Sequence, residues 1–183
     1  MSIKARTELD GITPYALGKS IEEIKEQYGI QKVRKLSDNE NVYGTSPKVR
    51  EALMKETSNL YFYPDGMTSK LVEKLASHYK VDQKHFLVSN GSEEIIRLLT
   101  RAYIYKNDEA VMAEVTFPRY KTNVLIEGGV AVAVPMVEGT HDLVKMLQEI
   151  NERTKMVFVC NPNNPTGTIV GKQQLLSFID SVP

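Results

Sequence analysis

The sequence predicts an α/β fold of three layers, with a mainly parallel sheet between helices. Two observations carry this. From residue 85 onward, short apolar runs alternate with segments of helical periodicity, the pattern of βαβ units. The runs lack polar alternation, which suits strands covered on both faces.

The elements follow in chain order. Ser20 and Glu23 have capping-box spacing and open a helix from 21 to about 28, which Gly29 stops. Ser46-Pro47 starts a second helix with an N-cap and a first-turn proline, and Val49, Ala52 and Leu53 form its apolar face. The aromatic run Tyr61-Phe62-Tyr63 ends in the turn residues Pro64-Asp65-Gly66. A third helix, about 69–79, carries Leu71, Val72, Leu75 and Ala76 at helical spacing. Next come a strand at 85–88 and a helix with Ile95, Ile96, Leu98 and Leu99. Further strands are expected at 110–113, 130–134 and 156–160, separated by helices at 120–126 and around Leu143, Leu147 and Ile150. A last helix covers 175–179. Residues 1–45 should form an N-terminal arm with a small-domain segment, and residues 46–183 the first part of a large domain.

Bulk composition narrows the class. Lys+Arg and Asp+Glu stand at 23 each, so there is no basic excess of the kind nucleic acid requires. No apolar run approaches the roughly 20 residues that span a bilayer. The single cysteine, Cys160, cannot form an intramolecular disulfide, and the start has no apolar stretch of the signal-peptide kind, so a cytoplasmic location is expected. His78, His85 and His141 lack metal-ligand spacing.

In a parallel α/β sheet, ligands sit beyond the carboxyl ends of the strands. That rule selects three loops. In 89–93, Gly91 allows close backbone approach, and the free N–H groups of Ser92, Glu93 and Glu94 form an anion site at a helix start. The plainer reading is a capped turn. In 114–120, Phe117 could stack on a planar ring or simply fill the core. In 161–167, Asn161-Pro162-Asn163-Asn164-Pro165-Thr166-Gly167, two prolines hold the chain away from helix and aim asparagine amides at one place.

This last spelling resembles the signature of the aspartate-aminotransferase-like, fold-type-I enzymes that use pyridoxal 5′-phosphate (PLP). Ser37-Asp38-Asn39-Glu40-Asn41-Val42-Tyr43-Gly44 is similar to another family motif, with Val42 where proline is usual. Tyr63-Pro64-Asp65-Gly66, Asn90-Gly91-Ser92-Glu93-Glu94 and Asp142-Leu143 ahead of Thr154-Lys155 point to the histidinol-phosphate aminotransferase branch. The resemblance implies that residues 46–183 belong to the PLP-binding large domain, left incomplete at the C-terminus. It implies that Ser92 and Glu93 hold the PLP phosphate through backbone N–H groups. Phe117 would stack on the pyridine ring, and Asn164 would donate to its phenolic oxygen O3′. Tyr63 would reach the phosphate in the neighbouring subunit of a homodimer, while Tyr15 and Asn39 would face the substrate. The implied reaction moves an amino group from glutamate to imidazole-acetol phosphate, in histidine biosynthesis.

The same resemblance places the lysine that binds the cofactor covalently beyond residue 183, so no catalytic residue is assigned and the chain alone is expected to be inactive. Two rivals stand beside this reading. One is another class I/II enzyme, of the aromatic aminotransferase or threonine-phosphate decarboxylase type. The other is a non-catalytic binding or interaction fragment.

Overall fold

The computed structural model describes residues 3–13 and 18–183. The chain divides into two compact units, Thr13–Gln83, and Met1–Ile12 together with Lys84–Pro183. The division expected near residue 45 therefore falls inside the first of these units.

The unit Thr13–Gln83 is helical. Its α1 (Ile21–Tyr28) begins at a complete capping box: Ser20 accepts from the Glu23 N–H at 3.1 Å, and Glu23 accepts from the Ser20 N–H at 2.6 Å. Gly29 closes it in the left-handed conformation, φ 63°. In α2 (Pro47–Glu56) the proline sits in the first turn, while the Ser46 side chain makes no capping bond. The apolar face expected on α2 stays open, with Val49 and Leu53 exposed. For α3 (Ser69–Tyr79) the cap comes from further back: the Asp65 carboxylate accepts from the N–H groups of Met67 and Ser69 at 3.0 and 2.7 Å. Those two backbone donors hold the Asp65 carboxyl below its ordinary value. Ala76 is the one buried residue among the described residues of this unit.

The second unit holds the sheet. Its elements run α4 (Ser92–Tyr103), β1 (Glu109–Ala113), α5 (Arg119–Ile126), β2 (Val130–Val134), α6 (Leu143–Gln148), β3 (Thr154–Phe158) and α7 (Lys172–Ser181). The strand order is β2-β1-β3, and both pairings are parallel. Alternation along β1 divides the core. Ala110 and Met112 pack with Ile96, Ile104, Val124 and Phe158 on the α4–α5 side. Val111 packs with Val134, Met146 and Phe178 on the α6–α7 side. The result is helix layer, sheet, helix layer, as the sequence predicts. Only the central strand β1 is buried along its whole length; β2 and β3 are partly open because each has a neighbour on one side only.

One expected strand is absent. Residues 83–85 form a single 3-10 turn, 86–88 adopt no regular element, and Leu87 is exposed. An apolar run becomes a strand only where another strand offers hydrogen bonds, and the three strands of this sheet pair with one another alone. The strand expected at 156–160 also ends early, at Phe158, which frees Val159 and Cys160 to lead into the loop.

Candidate cofactor site

The sheet order decides where a ligand can sit. From β1 the chain crosses through α5 to β2 on one side, then returns through α6 to β3 on the other. The direction reverses between β1 and β3, and a crevice opens beyond their carboxyl ends at such a switch point. The segments leaving these two strands are 114–118 and 159–171, two of the regions the sequence selects.

The third region joins them through α4. Gly91 precedes this helix at φ 83°, ψ 173°, a conformation closed to residues with a Cβ, and no side chain caps the helix. The first N–H groups of α4 thus point out of the helix end with the positive end of its dipole behind them. Ser92 is the first residue of α4 and Glu93 the second. Both first-turn carboxylates are engaged elsewhere. Glu93 pairs with Arg119, at the start of α5, at 3.1 Å. Glu94 accepts from the Asn90 N–H at 2.7 Å and from Arg97 at 3.0 Å, and the Asn90 bond leads in lowering its pKa. The Glu93–Arg119 pair ties the anion-ready end of α4 to the loop that carries Phe117.

Phe117 is half-buried, at the top of an aromatic ladder. Its ring meets Tyr120 edge-on, with centroids 5.6 Å apart and planes at 83°. Tyr120 in turn stacks on the buried Phe158 of β3, at 4.4 Å and 17°. Burial, helped by a hydrogen bond with Cys160, pushes the Tyr120 phenol up to about 12. Phe117 packs against the core on one side and leaves the rest of its ring accessible.

The asparagine-rich loop is built differently from the expectation that its amides converge. The Asn161 amide bonds to both backbone groups of Val170, at 3.2 and 3.1 Å. Asn163, 2% exposed, reaches across to the β1 loop. Its Nδ2 donates to Val115 O at 3.0 Å and to Thr166 Oγ1 at 2.9 Å, and its Oδ1 accepts from Thr116 Oγ1 at 2.8 Å. Asn164 is exposed, and among the described residues its side-chain amide has no hydrogen-bond partner. Its backbone N–H donates to Cys160 Sγ at 3.4 Å. Two asparagines hold the loop and the third is left available. Cys160 is a half-buried sulfur against the loop, within reach of Pro162 O and the Asn164 N–H.

Ser92, Glu93, Phe117 and Asn164 thus lie on segments that the Glu93–Arg119 and Thr116–Asn163 contacts draw together. Tyr63 and Asn39 lie in the other unit. Tyr63 exposes nearly its whole ring, and Asn39 is exposed with φ 54°. Tyr15 lies outside the described residues. Sequence reasoning missed Arg119, Tyr120 and Asn163. The Phe117–Tyr120 spacing of one helical turn was a usable signal for Tyr120; Asn163 carried none, because three neighbouring asparagines look alike until one is buried.

An uncapped helix end, an accessible aromatic ring and an amide without a partner among the described residues thus lie on loops beyond the carboxyl ends of an α/β sheet. Residues 31–183 match the family model for aminotransferase class I and II, and the chain belongs to that family. Among curated relatives it is 47% identical to histidinol-phosphate aminotransferase of Geobacillus sp. (strain WCH70), and 46% identical to that of Geobacillus thermodenitrificans. Each match covers 99% of this chain and 50% of the relative, so the chain spans about half the length of these proteins. Among solved structures, histidinol-phosphate aminotransferase from Sinorhizobium meliloti in complex with PLP superposes with a TM-score of 0.83 at 22% identity. That match covers 92% of this chain and 46% of the other. An aspartate aminotransferase mutant from Thermus thermophilus gives 0.82 at 22% identity, over 98% and 50%. At this identity the two structures establish the shared fold.

Proposed function

We propose that these residues bind PLP and serve a histidinol-phosphate aminotransferase, moving an amino group between glutamate and imidazole-acetol phosphate. The observation that carries the cofactor reading is the meeting of the three loops at the switch point. The substrate reading rests on the names of the two Geobacillus relatives. Because the chain spans half of such relatives, the reaction is proposed for these residues together with that other half.

When bound, PLP supplies an electron sink for bond changes at the amino-bearing carbon. This chain's residues bind and orient. The N–H groups of Ser92 and Glu93 hold the phosphate, as a helix N-terminus holds an anion. The Phe117 face covers the pyridine ring. The Asn164 amide, which has no partner among the described residues, would donate to O3′. Tyr63 serves the phosphate site of a second copy in a homodimer, which its exposure permits. Tyr15 and Asn39 face the substrate. The setting is cytoplasmic, consistent with a lone unpaired cysteine.

Pyridoxine 5′-phosphate tests the site without reacting with surface lysines, because it lacks the aldehyde. Titration followed by ring fluorescence should show saturable binding to the chain. Asn164→Ala and Phe117→Ala should each weaken it about tenfold, a loss expected for one hydrogen bond to a charged oxygen or one ring contact. Equal affinity in both variants and the unaltered chain would exclude this location for the cofactor.

A further inference from the structure

We infer that Asn163 is a positioning residue: it sets Asn164 against Phe117 in advance of any ligand, through a one-directional chain of hydrogen bonds. The inference deepens the cofactor reading above and rests on it for its consequence, though the clamp itself stands on geometry.

Proton bookkeeping fixes the direction. Val115 O can only accept, so the Asn163 atom facing it at 3.0 Å is the amide nitrogen. The amide oxygen then takes the proton of Thr116 Oγ1 at 2.8 Å. The second amide proton goes to Thr166 Oγ1 at 2.9 Å. Further along, Thr168 Oγ1 donates to Gly139 O at 2.6 Å, which spends its only proton. The Thr166 and Thr168 hydroxyls lie 2.8 Å apart, so Thr166 must be the donor between them. The chain therefore runs Thr116 to Asn163 to Thr166 to Thr168 to Gly139, every hydroxyl giving one proton in the same sense. It links the segments that leave β1, β3 and β2. Two backbone bonds close the loop around it, Asn163 N–H to Thr168 O at 2.9 Å and Gly167 N–H to Asn163 O at 2.7 Å.

The placement gives the network its consequence. Asn163 precedes Asn164 in the chain, and its partners Val115 and Thr116 precede Phe117. One buried amide thus anchors the chain beside both side chains assigned to the cofactor, at one or two residues' remove from each. The amide itself is 2% exposed, so losing it removes from a buried position the partner of Val115 O and of the Thr116 hydroxyl. Asparagine is required because the site needs two donors and one acceptor in a plane. Aspartate has the same volume but would offer oxygens to Val115 O and repel it.

The test uses the 183-residue chain with Asn163→Asp, the milder Thr168→Val, and two probes, pyridoxine 5′-phosphate and its analogue lacking the 3-oxygen. In the unaltered chain the first probe should bind better, by the worth of the Asn164 contact. With Asn163→Asp or Thr168→Val that preference should fall toward one, as in Asn164→Ala, while the analogue's own affinity changes little. Amide exchange at positions 163 and 167 should accelerate about tenfold in both variants, with the β1 amides of Val111 and Met112 unchanged. A merely structural role would lower the affinity for both probes equally and leave the preference intact, and that result overturns the inference. So does unchanged exchange at 163 and 167. If neither probe binds the unaltered chain, the cofactor reading fails, and the exchange measurement alone decides the clamp.

Discussion

Gly129 sits where α5 turns into β2, and replacing it with alanine should destabilise the sheet unit. A Cβ there would lie 2.5 Å from Ile104 Cγ2, 3.0 Å from Val124 Cγ1 and 3.2 Å from Asp108 O. Carbon pairs prefer about 3.5–4.0 Å, so the first contact is about 1 Å too close. Ile104 is 4% exposed and Val124 fully buried, and both are β-branched and stiff at χ1. The third neighbour is backbone: Asp108 O accepts from the Val130 N–H at 2.8 Å, the bond that starts β2 in register with β1. Overpacking of this kind costs about 1–3 kcal/mol. Glycine here is outside the left-handed region, so the alanine also removes unfolded-state freedom, which offsets about 0.4–1 kcal/mol. Taking the middle of each range, a net loss of about 1.3 kcal/mol remains, equal to roughly tenfold faster exchange of the β1 amides through unfolding of this unit. Native-state hydrogen exchange at Val111 and Met112 reads it directly. Ile104→Ala removes the nearest methyl, so the double variant should lose less than the sum of the single ones. Unchanged exchange in Gly129→Ala, or strict additivity with Ile104→Ala, would refute the steric reasoning.

Three further outcomes are expected. Tyr120 is held protonated in the folded chain up to about 12, against about 10 when unfolded. A raised acid pKa gives stability that is intact below the unfolded value and lost as pH climbs through the folded one. Urea midpoints should accordingly fall between pH 10 and 12, and Tyr120→Phe should lessen that fall; an identical pH slope in the variant would count against it. Ser20→Ala breaks the capping box and should fray α1 by about 1 kcal/mol, visible as loss of the Glu23 and Ile24 amide protection without change in β1. Glu93→Gln keeps the backbone donor but removes a negative charge beside the proposed phosphate site. It should tighten pyridoxine 5′-phosphate up to about fivefold at low salt, less as ionic strength rises, and weaker binding would contradict an anion at this helix end.

Much was legible in the letters because it is local. The limits of α1 and α3 follow from Ser20, Glu23, Gly29 and side-chain periodicity, all acting within a few residues. The strands β1, β2 and β3 announced themselves as apolar runs, and their alternation with helices implied parallel pairing. The loop at 161–167 stood out by composition alone.

What stayed hidden depends on distant partners. The run at 85–88 has the composition of a strand, yet strand identity needs a neighbour's hydrogen bonds, and none is provided to it by β1, β2 or β3. Three asparagines lie within four positions, and only the fold separates them: Asn163 is buried against Val115 and Thr116, 48 and 47 residues earlier, while Asn164 is left exposed. Likewise the ladder Phe117–Tyr120–Phe158 needs α5 to lie on the same face of the sheet as the side chain of Phe158. The sequence by itself determined the elements and the chemical types gathered in their loops, because capping, turns and periodicity are short-range. Only the tertiary structure decided which of those residues hold the site together and which remain free to act, because burial and long-range hydrogen bonds exist only once the sheet has brought its strand ends side by side.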